Sequence, residues 1–408
     1  MSKTIAANIS NWVDGYPCLL THINIFPSMA CNLRCRVCER QVIGNYNNNV
    51  LSAKAMALIE KDITEIPSIK EILVGGNNGE PMINKDAVVN FLCNLSKRGI
   101  VTALQTNGTL LDSKTIEKIV VNRVNLISIS LDGHIAKIHD YLRGYSGIFD
   151  KVIANIKYIN NMKKSLNSEL PKVCLLFLIT NINYKYIPDF LRLSKVLAVE
   201  EVIFMPLGGR CDRFKLNKDQ IDELELIFNG LTEDEIKVCN AKSLLDRGRY
   251  NNIQDVNNAC NSEVDYSSET LEIIKDFNSV NYIDIDRLDA KREKINLYDR
   301  FRNAANNNIL NAPCYNPWFK IFIKETGEVD FCHYFRTSVG YLKNNTLQQI
   351  WNNEIFEKIR NEFLKGAIPM YCSNCCGPQQ FETESIKKVL YSYRENKGIT
   401  INPSKSMV

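Results

Sequence analysis

Histidine is the scarcest ligand type in this 408-residue chain: His22, His134, His139 and His333 are the only four, which argues against a His-dominated metal site. No apolar run approaches the length needed to span a bilayer. The opening MSKTIAANISNWVDGYPCLL lacks the basic segment and apolar stretch of a secretory signal. A formal net charge of +4 is close to neutral for this length, and no basic stretch is interleaved with aromatics, so neither nucleic acid nor an anionic membrane is expected as a partner. Internal repeats are missing, and NYNNNV is only a brief low-complexity loop. These absences leave a cytoplasmic globular protein, with 45% hydrophobic and 24% charged residues, long enough for two or three domains.

Cysteine, by contrast, is abundant, at fourteen. In a cytoplasmic chain that number points to metal or redox chemistry rather than a disulfide framework. Cys18, Cys93, Cys174, Cys211, Cys239 and Cys260 stand alone and read as packed thiols. The others fall into two groups, Cys31/35/38 near the start and Cys314, Cys332, Cys372, Cys375 and Cys376 near the end.

Between residues 20 and 208, six short apolar runs (THINIF, KEILVG, IVTALQ, VNLISIS, KVCLLFLIT and EVIFMPL) alternate with helical patterns such as SAKAMALIEKDI and the segments 85–97, 112–121 and 187–198. Strands that alternate with helices pair in parallel through right-handed crossovers. Six units are too few for a closed eight-stranded barrel, so the expected class is α/β, an open partial (β/α)6 barrel with its site at the strands' C-terminal ends. Residues 1–19 form an N-terminal extension, and 209–312, polar and Asn-rich, read as a helical insertion without a catalytic motif. A small cysteine-bearing module follows over 313–378, and a polar tail over 379–408.

Cys31, Cys35 and Cys38 follow the first strand at once, spaced Cys-x3-Cys-x2-Cys. Three thiolates can hold three irons of a [4Fe–4S] cluster and leave the fourth iron open to a small molecule. On spacing alone, zinc with a distant fourth ligand fits as well.

The segments downstream resemble the radical S-adenosylmethionine (radical SAM) superfamily, whose hallmark is this cysteine loop. VGGNNGEPM is similar to the family's Gly-Gly-Glu-Pro segment through Gly79, Glu80 and Pro81, with Asn78 in place of the usual first glycine. The resemblance implies that this backbone grips the methionine amino group of SAM. It further implies a turn at Thr106 and Asn107 (LQTNGTLL), with Ser130 and Asp132 (SISLDG) facing the ribose or methionine end. By the same likeness Arg143 pairs with the methionine carboxylate, Asn181 bonds the ribose, and Met205 (FMPLG) meets the adenine. The implied chemistry is reductive SAM cleavage to a 5′-deoxyadenosyl radical that takes hydrogen from a substrate C–H bond. The implied cofactors are SAM and two [4Fe–4S] clusters.

In APCYNPWFKIFIKETGEVDFCHYF, a hairpin with Gly327 at its turn separates Cys314 from Cys332, and a helical stretch leads to IPMYCSNCCG. Two cysteine pairs of this kind can bind one metal centre, a cluster or zinc. The segment resembles the SPASM/twitch extension of one radical SAM subgroup, lacking the cysteines of a second auxiliary cluster. The resemblance implies one auxiliary [4Fe–4S] cluster on Cys314, Cys332, Cys372 and Cys375. Cys376 is left as a packed thiol or a hydrogen donor to a substrate radical.

An auxiliary cluster with four cysteine ligands has no open iron and suits electron transfer. The leading expectation is therefore dehydrogenation or epimerisation of a small biosynthetic intermediate such as an amino-sugar or aminocyclitol. The alternative is maturation of a ribosomally made peptide by cross-linking, oxidation or epimerisation. About twenty residues precede the first strand, so a leader-binding protein would be a separate partner. A flavodoxin- or ferredoxin-like electron donor is implied in either case. A non-catalytic zinc scaffold is the remote third reading.

Overall fold

A computed structural model describes residues 2–13, 16–44, 47–76, 79–207, 211–239, 281–285, 312, 314–332, 338–364, 386–390 and 392. In chain order the elements are α1 (Ser2–Val13), β1 (His22–Ile25), α2 (Glu39–Ile43), β2 (Asn49–Leu51), α3 (Ala53–Thr64), β3 (Glu71–Val74), α4 (Lys85–Lys97), β4 (Val101–Thr106), α5 (Ser113–Val121), β5 (Leu126–Ser130), α6 (Ala136–Arg143) and α7 (Ile148–Ser165). There follow β6 (Lys172–Ile179), α8 (Ile187–Val196), β7 (Glu201–Pro206), α9 (Lys218–Asn229), α10 (Glu233–Lys237), β8 (Asn281–Ile283), β9 (Lys320–Ile323), β10 (Glu328–Asp330), β11 (Gly340–Tyr341), α11 (Leu347–Trp351) and α12 (Glu354–Leu364). Two compact units result, one from residues 26–53 and 73–283, the other from 1–25, 54–72 and 284–408.

In the first of these units β4, β5, β6 and β7 lie side by side in parallel, with Leu104 opposite Ile127, Ile127 opposite Val173 and Leu175 opposite Val202. Both faces of β6 are covered, so the strand reads KVCLLFLI with hardly a polar residue rather than as an alternation. The helices cover it with apolar stripes: Val88, Phe91, Leu92 and Leu95 on α4, Ile148, Val152, Ile156 and Ile159 on α7. Phe177 on β6 packs edge-on to Phe190 of α8 at 4.6 Å and Phe204 of β7 at 5.4 Å. Beyond β7 the only pairing among the described residues is a single bridge from Val202 to Cys239, so the sheet is open rather than a closed barrel. The α/β class expected from the strand–helix alternation is the one observed.

The second unit joins the two ends of the chain. β9 returns to run parallel with β1, Ile23 opposite Ile321, and turns back through a hairpin into β10 and β11. Gly327 makes that hairpin turn at a φ of 76°. α1 buries Ile5, Ala6, Ile9 and Trp12, and Trp12 meets Trp318 at 5.5 Å. Trp351 donates its indole N–H to the Cys18 carbonyl at 2.7 Å, and the buried Arg360 guanidinium lies over the Trp351 ring at 4.4 Å.

Three features escaped the pattern of the sequence. α1 occupies what reads as a featureless extension. β2 and β8 pair in parallel, Asn49 opposite Asn281, which places a strand within the polar 209–312 stretch. The helical run after Thr346 is two helices, because the Asn353 side chain accepts the Phe356 amide at 2.9 Å and restarts the helix with a new cap. Among the described residues no helix is long and apolar enough to cross a membrane.

The positive φ of Gly327 sets a measurable difference. A Cβ there would sit 3.2 Å from Ile285, whereas at Gly99, with a φ of 78°, it would meet open space. Gly99→Ala should cost about 1 kcal/mol for the left-handed conformation alone. Gly327→Ala should lower the urea midpoint by more than that; equal midpoints would contradict the packing described.

Candidate active site

The site is built on the loop after β1 and on the C-terminal ends of β3 to β7. A cavity of about 250 Å³ there is lined by the thiols of Cys31, Cys35 and Cys38 together with Gly79, Glu80, Thr106, Asn107, Ser130, Asp132, Arg143 and Met205. Eleven of the residues marked out by the sequence therefore share one cavity wall. Gly76, Gln105, Leu176 and Leu178 also line it, with Leu33, Val37 and the residues after Cys38, and nothing in the local pattern marks Gln105, Leu176 or Leu178 out.

Hydrogen bonds hold the cysteine loop against the turn that follows β4. Asn107 Nδ2 donates to Asn32 Oδ1 at 3.0 Å, Asn32 Nδ2 donates to Thr109 Oγ1 at 2.8 Å, and the Thr109 hydroxyl donates to Asn107 Oδ1 at 2.6 Å. The ring closes on itself, so the Asn107 carboxamide is committed to the loop. On its other side the loop meets the end of α6. Arg36 N–H donates to the Leu142 carbonyl at 2.8 Å, and a Cβ on Gly144 would collide with the Arg34 carbonyl. Gly144 is also the left-handed C-cap of α6, with a φ of 71°. Its place directly after Arg143 is the one signal that could have found it.

Glu80 is the hub of the next layer. Only 2% exposed, its carboxylate accepts from the Thr106 hydroxyl at 2.6 Å, the Asn107 amide at 2.8 Å and the Met82 amide at 3.1 Å. Burial raises its carboxyl above the ordinary range, and those three donors pull it back. Its own amide donates to the Ala30 carbonyl, one residue before Cys31. Pro81 begins the short turn that follows and is buried beneath the cavity. A Cβ on Gly79 would strike the Ser28 carbonyl, and one on Gly76 the Gly79 carbonyl. In this structure, then, the glycines are required by neighbouring backbone.

Asp132 is wholly buried and binds Arg143 at 2.6 Å. Its other oxygen accepts the Leu178 amide at 3.0 Å, and its own amide donates to His139 Nδ1 at 3.0 Å. Asn183 clamps the same corner by donating to the Asp132 and Leu178 carbonyls. Thus β5, β6 and α6 converge on one guanidinium. Arg143 reaches Cys35 Sγ at 3.8 Å, and its Nε is buried with no hydrogen-bond partner in the described protein. Burial opposes the cation, but Asp132 and the Cys35 and Cys31 sulfurs raise its pKa above the usual value.

The three thiols are half-buried on a narrow cavity whose walls strip water from any charge they would carry. Burial pushes Cys35 up to about 11, with Arg143 pulling the other way. It raises Cys31 further, helped by repulsion from Cys35 and Glu80, and it raises Cys38. A cationic centre that joined them would offset that burial and favour the thiolates. No three His, Cys, Asp or Glu side chains among the described residues come together as a site for one metal ion. Three thiols lining one cavity are the donor set that a [4Fe–4S] cluster with one open iron requires. Leu33 N–H already donates to Cys31 Sγ at 3.4 Å, a contact that favours thiolate. The residues present therefore fit a three-cysteine cluster.

Asn181 stands outside the cavity lining: its Nδ2 donates to the Arg213 carbonyl at 2.8 Å, and its buried Oδ1 has no partner among the described residues. In the other unit, Cys332 follows β10 within two residues, and Cys314 accepts the Asn316 amide at 3.4 Å. Both are half-buried. Asn78, Cys372, Cys375 and Cys376 lie outside the described residues.

Glu80 gives the sharpest test of this geometry. Glu80→Ala leaves three buried donors unpaired and should cost about 2–4 kcal/mol by urea unfolding. The same preparation should lose iron from the first site. Stability and iron content at wild-type levels would contradict the hub.

Comparison with known proteins gives the family. Residues 25–194 match the radical SAM superfamily, and residues 314–376 match SPASM, an iron–sulfur cluster-binding domain. The AdoMet-dependent heme synthase of Methanosarcina barkeri is 24% identical over 356 residues, covering 85% of this chain and 87% of that protein. A probable GTP 3′,8-cyclase of Methanocaldococcus jannaschii is 26% identical over 223 residues, 54% of this chain and 69% of its own. Among solved structures, Streptococcus suis SuiB bound to the precursor peptide SuiA superposes with a TM-score of 0.54 at 16% identity, over 88% of this chain and 70% of that one. The anSMEcpe protein with bound AdoMet gives 0.53 at 14% identity, over 92% and 97%. At such identities these structures share the fold. The chain belongs to the radical SAM superfamily and carries a SPASM extension, and its cofactors are SAM and [4Fe–4S] clusters.

Proposed function

We propose that this enzyme cleaves SAM reductively and oxidises a C–H centre of a small biosynthetic intermediate, such as an amino-sugar or aminocyclitol. The observation that carries the first part is the trio of thiols on one cavity with Arg143 beside Cys35. In this reading residues 20–208 are the SAM-cleaving barrel and 313–378 the module of one auxiliary cluster. Cys31, Cys35 and Cys38 would hold the first cluster, and Cys314, Cys332, Cys372 and Cys375 the second. When bound, the reduced first cluster and SAM supply a 5′-deoxyadenosyl radical, which takes a hydrogen atom from the substrate.

The chain's own contribution is placement and shielding. Asp132 fixes Arg143 with its Nε left unpaired, a planar donor suited to the methionine carboxylate. The Gly79 backbone and Ser130 stand ready for the rest of the amino acid and the ribose. Leu176, Leu178 and Met205 give the cavity an apolar wall that keeps water from a reactive carbon.

Two relatives named for small-molecule products, a heme synthase and a GTP cyclase, support a small substrate. The second reading, oxidation of a ribosomally made peptide, draws on the SPASM extension, which enzymes of that kind also carry. Cys376 would serve as hydrogen donor only in an epimerisation. Fourteen cysteines suit a reducing, cytoplasmic setting in which thiols hold metal rather than pair in disulfides.

Anaerobic reconstitution tests the proposal. Two clusters require about eight irons per chain. Replacing Cys31, Cys35 and Cys38 with Ala should remove about four irons and all formation of 5′-deoxyadenosine. Cys372→Ala should also lose about four irons yet still cleave SAM without product. About four irons in the wild type, or SAM turnover in the triple variant, would overturn it.

A further inference from the structure

The reverse side of the cysteine loop carries a second concavity, about 830 Å³ in volume. Its walls come from the loop itself and from α6 with the residues that follow, and Leu33 lines both this groove and the cofactor cavity. One thickness of loop therefore separates the two. Three cations face it, Arg34, Arg36 and Lys137. Its one carboxylate, Asp140, is occupied in accepting the Gly147 and Phe149 amides at 2.6 and 2.8 Å. The Arg36 guanidinium lies over the Tyr141 ring at 4.8 Å, and its Nε is buried with no hydrogen-bond partner among the described residues. Tyr141 and Tyr145 are 45% and 47% exposed. Tyrosine and arginine in this density are the composition of protein–protein contact surfaces.

The cations and tyrosines of this groove are not among the residues that line the cofactor cavity. The chemistry proposed above consumes one electron per SAM, and a diffusing carrier has to bring it. The shortest protein path to the first cluster runs through the loop that binds it. We propose that this cationic, tyrosine-rich groove docks the electron donor, a small acidic protein carrying a one-electron cofactor. The proposal rests on the radical-forming reading above. On contact the donor's cofactor loses one electron and the cluster gains it; no bond forms between the proteins and no group is transferred.

The test uses a purified acidic flavodoxin as the probe. Its oxidised form is titrated into the reconstituted enzyme by calorimetry at several salt concentrations, and its reduced form then drives SAM cleavage in place of dithionite. Lys137→Glu and the double variant Lys137→Glu/Tyr145→Ala are compared with the wild type. The double variant should weaken flavodoxin binding about tenfold and flatten its salt dependence. It should slow flavodoxin-driven formation of 5′-deoxyadenosine while leaving iron content and the dithionite-driven rate unchanged; Lys137→Glu should show a smaller loss in the same direction. Unchanged flavodoxin binding, or an equal fall in the dithionite-driven rate, would overturn the docking site. Loss of binding to an acidic peptide substrate with flavodoxin binding intact would assign the groove to substrate instead. If the wild type cleaves no SAM even with dithionite, the radical-forming reading itself has failed and this proposal falls with it.

Discussion

Everything in the SAM-binding half of the molecule answers to one electrostatic difficulty: three thiols set close together on a cavity that withholds water. Burial keeps Cys31, Cys35 and Cys38 above their ordinary pKa, Cys31 and Cys35 are raised further by repulsion from neighbouring thiols, and Arg143 reaches the Cys35 sulfur at 3.8 Å. Left alone, such a loop would relax toward solvent. It is held instead by contacts that use few of the cysteines' own atoms. These are the closed Asn32–Thr109–Asn107 ring, the Arg36 amide on the Leu142 carbonyl, the Cys211 thiol on the Val37 carbonyl and the Arg40 guanidinium on the Met29 carbonyl. The scaffold is organised around a centre whose positive charge offsets the repulsion.

The parallel sheet makes that possible because every strand end in a βα architecture points to the same side. Glu80 after β3, Thr106 and Asn107 at the end of β4, Asp132 after β5 and Met205 on β7 come from segments far apart in sequence, yet share one cavity wall. Buried carboxylates do the joining. Glu80 ties β3 to β4, and Asp132 ties β5 to β6 through the Leu178 amide and to α6 through Arg143. Each is fully paired, the condition under which a buried charge is tolerable.

This explains which parts could be read in advance. The strands, the amphipathic helices and the hairpin at Gly327 follow from local pattern, and the cysteine spacing with its downstream segments marked most of the cavity. The residue types at the site were readable, whereas their division of labour was not. Asp132 lines the cavity as expected and also binds Arg143, and Asn107, which lines it too, has its side chain on Asn32 and Thr109. Asn181, expected at the ribose, bonds the Arg213 carbonyl. Such pairings depend on contacts up to 75 residues apart in sequence, as between Asn107 and Asn32, and leave no periodic trace. β2 and β8 were missed for the same reason: three-residue strands acquire meaning only from the partner they meet.

The central claim is that one iron of the first cluster lacks a protein ligand and binds SAM. Mössbauer spectroscopy of the 57Fe-reconstituted Cys372→Ala variant, in which the first cluster stands alone, reads that iron directly. Addition of SAM should move about one iron in four to a distinct isomer shift, that of a site with added nitrogen and oxygen ligands. A spectrum unchanged by saturating SAM would contradict the account.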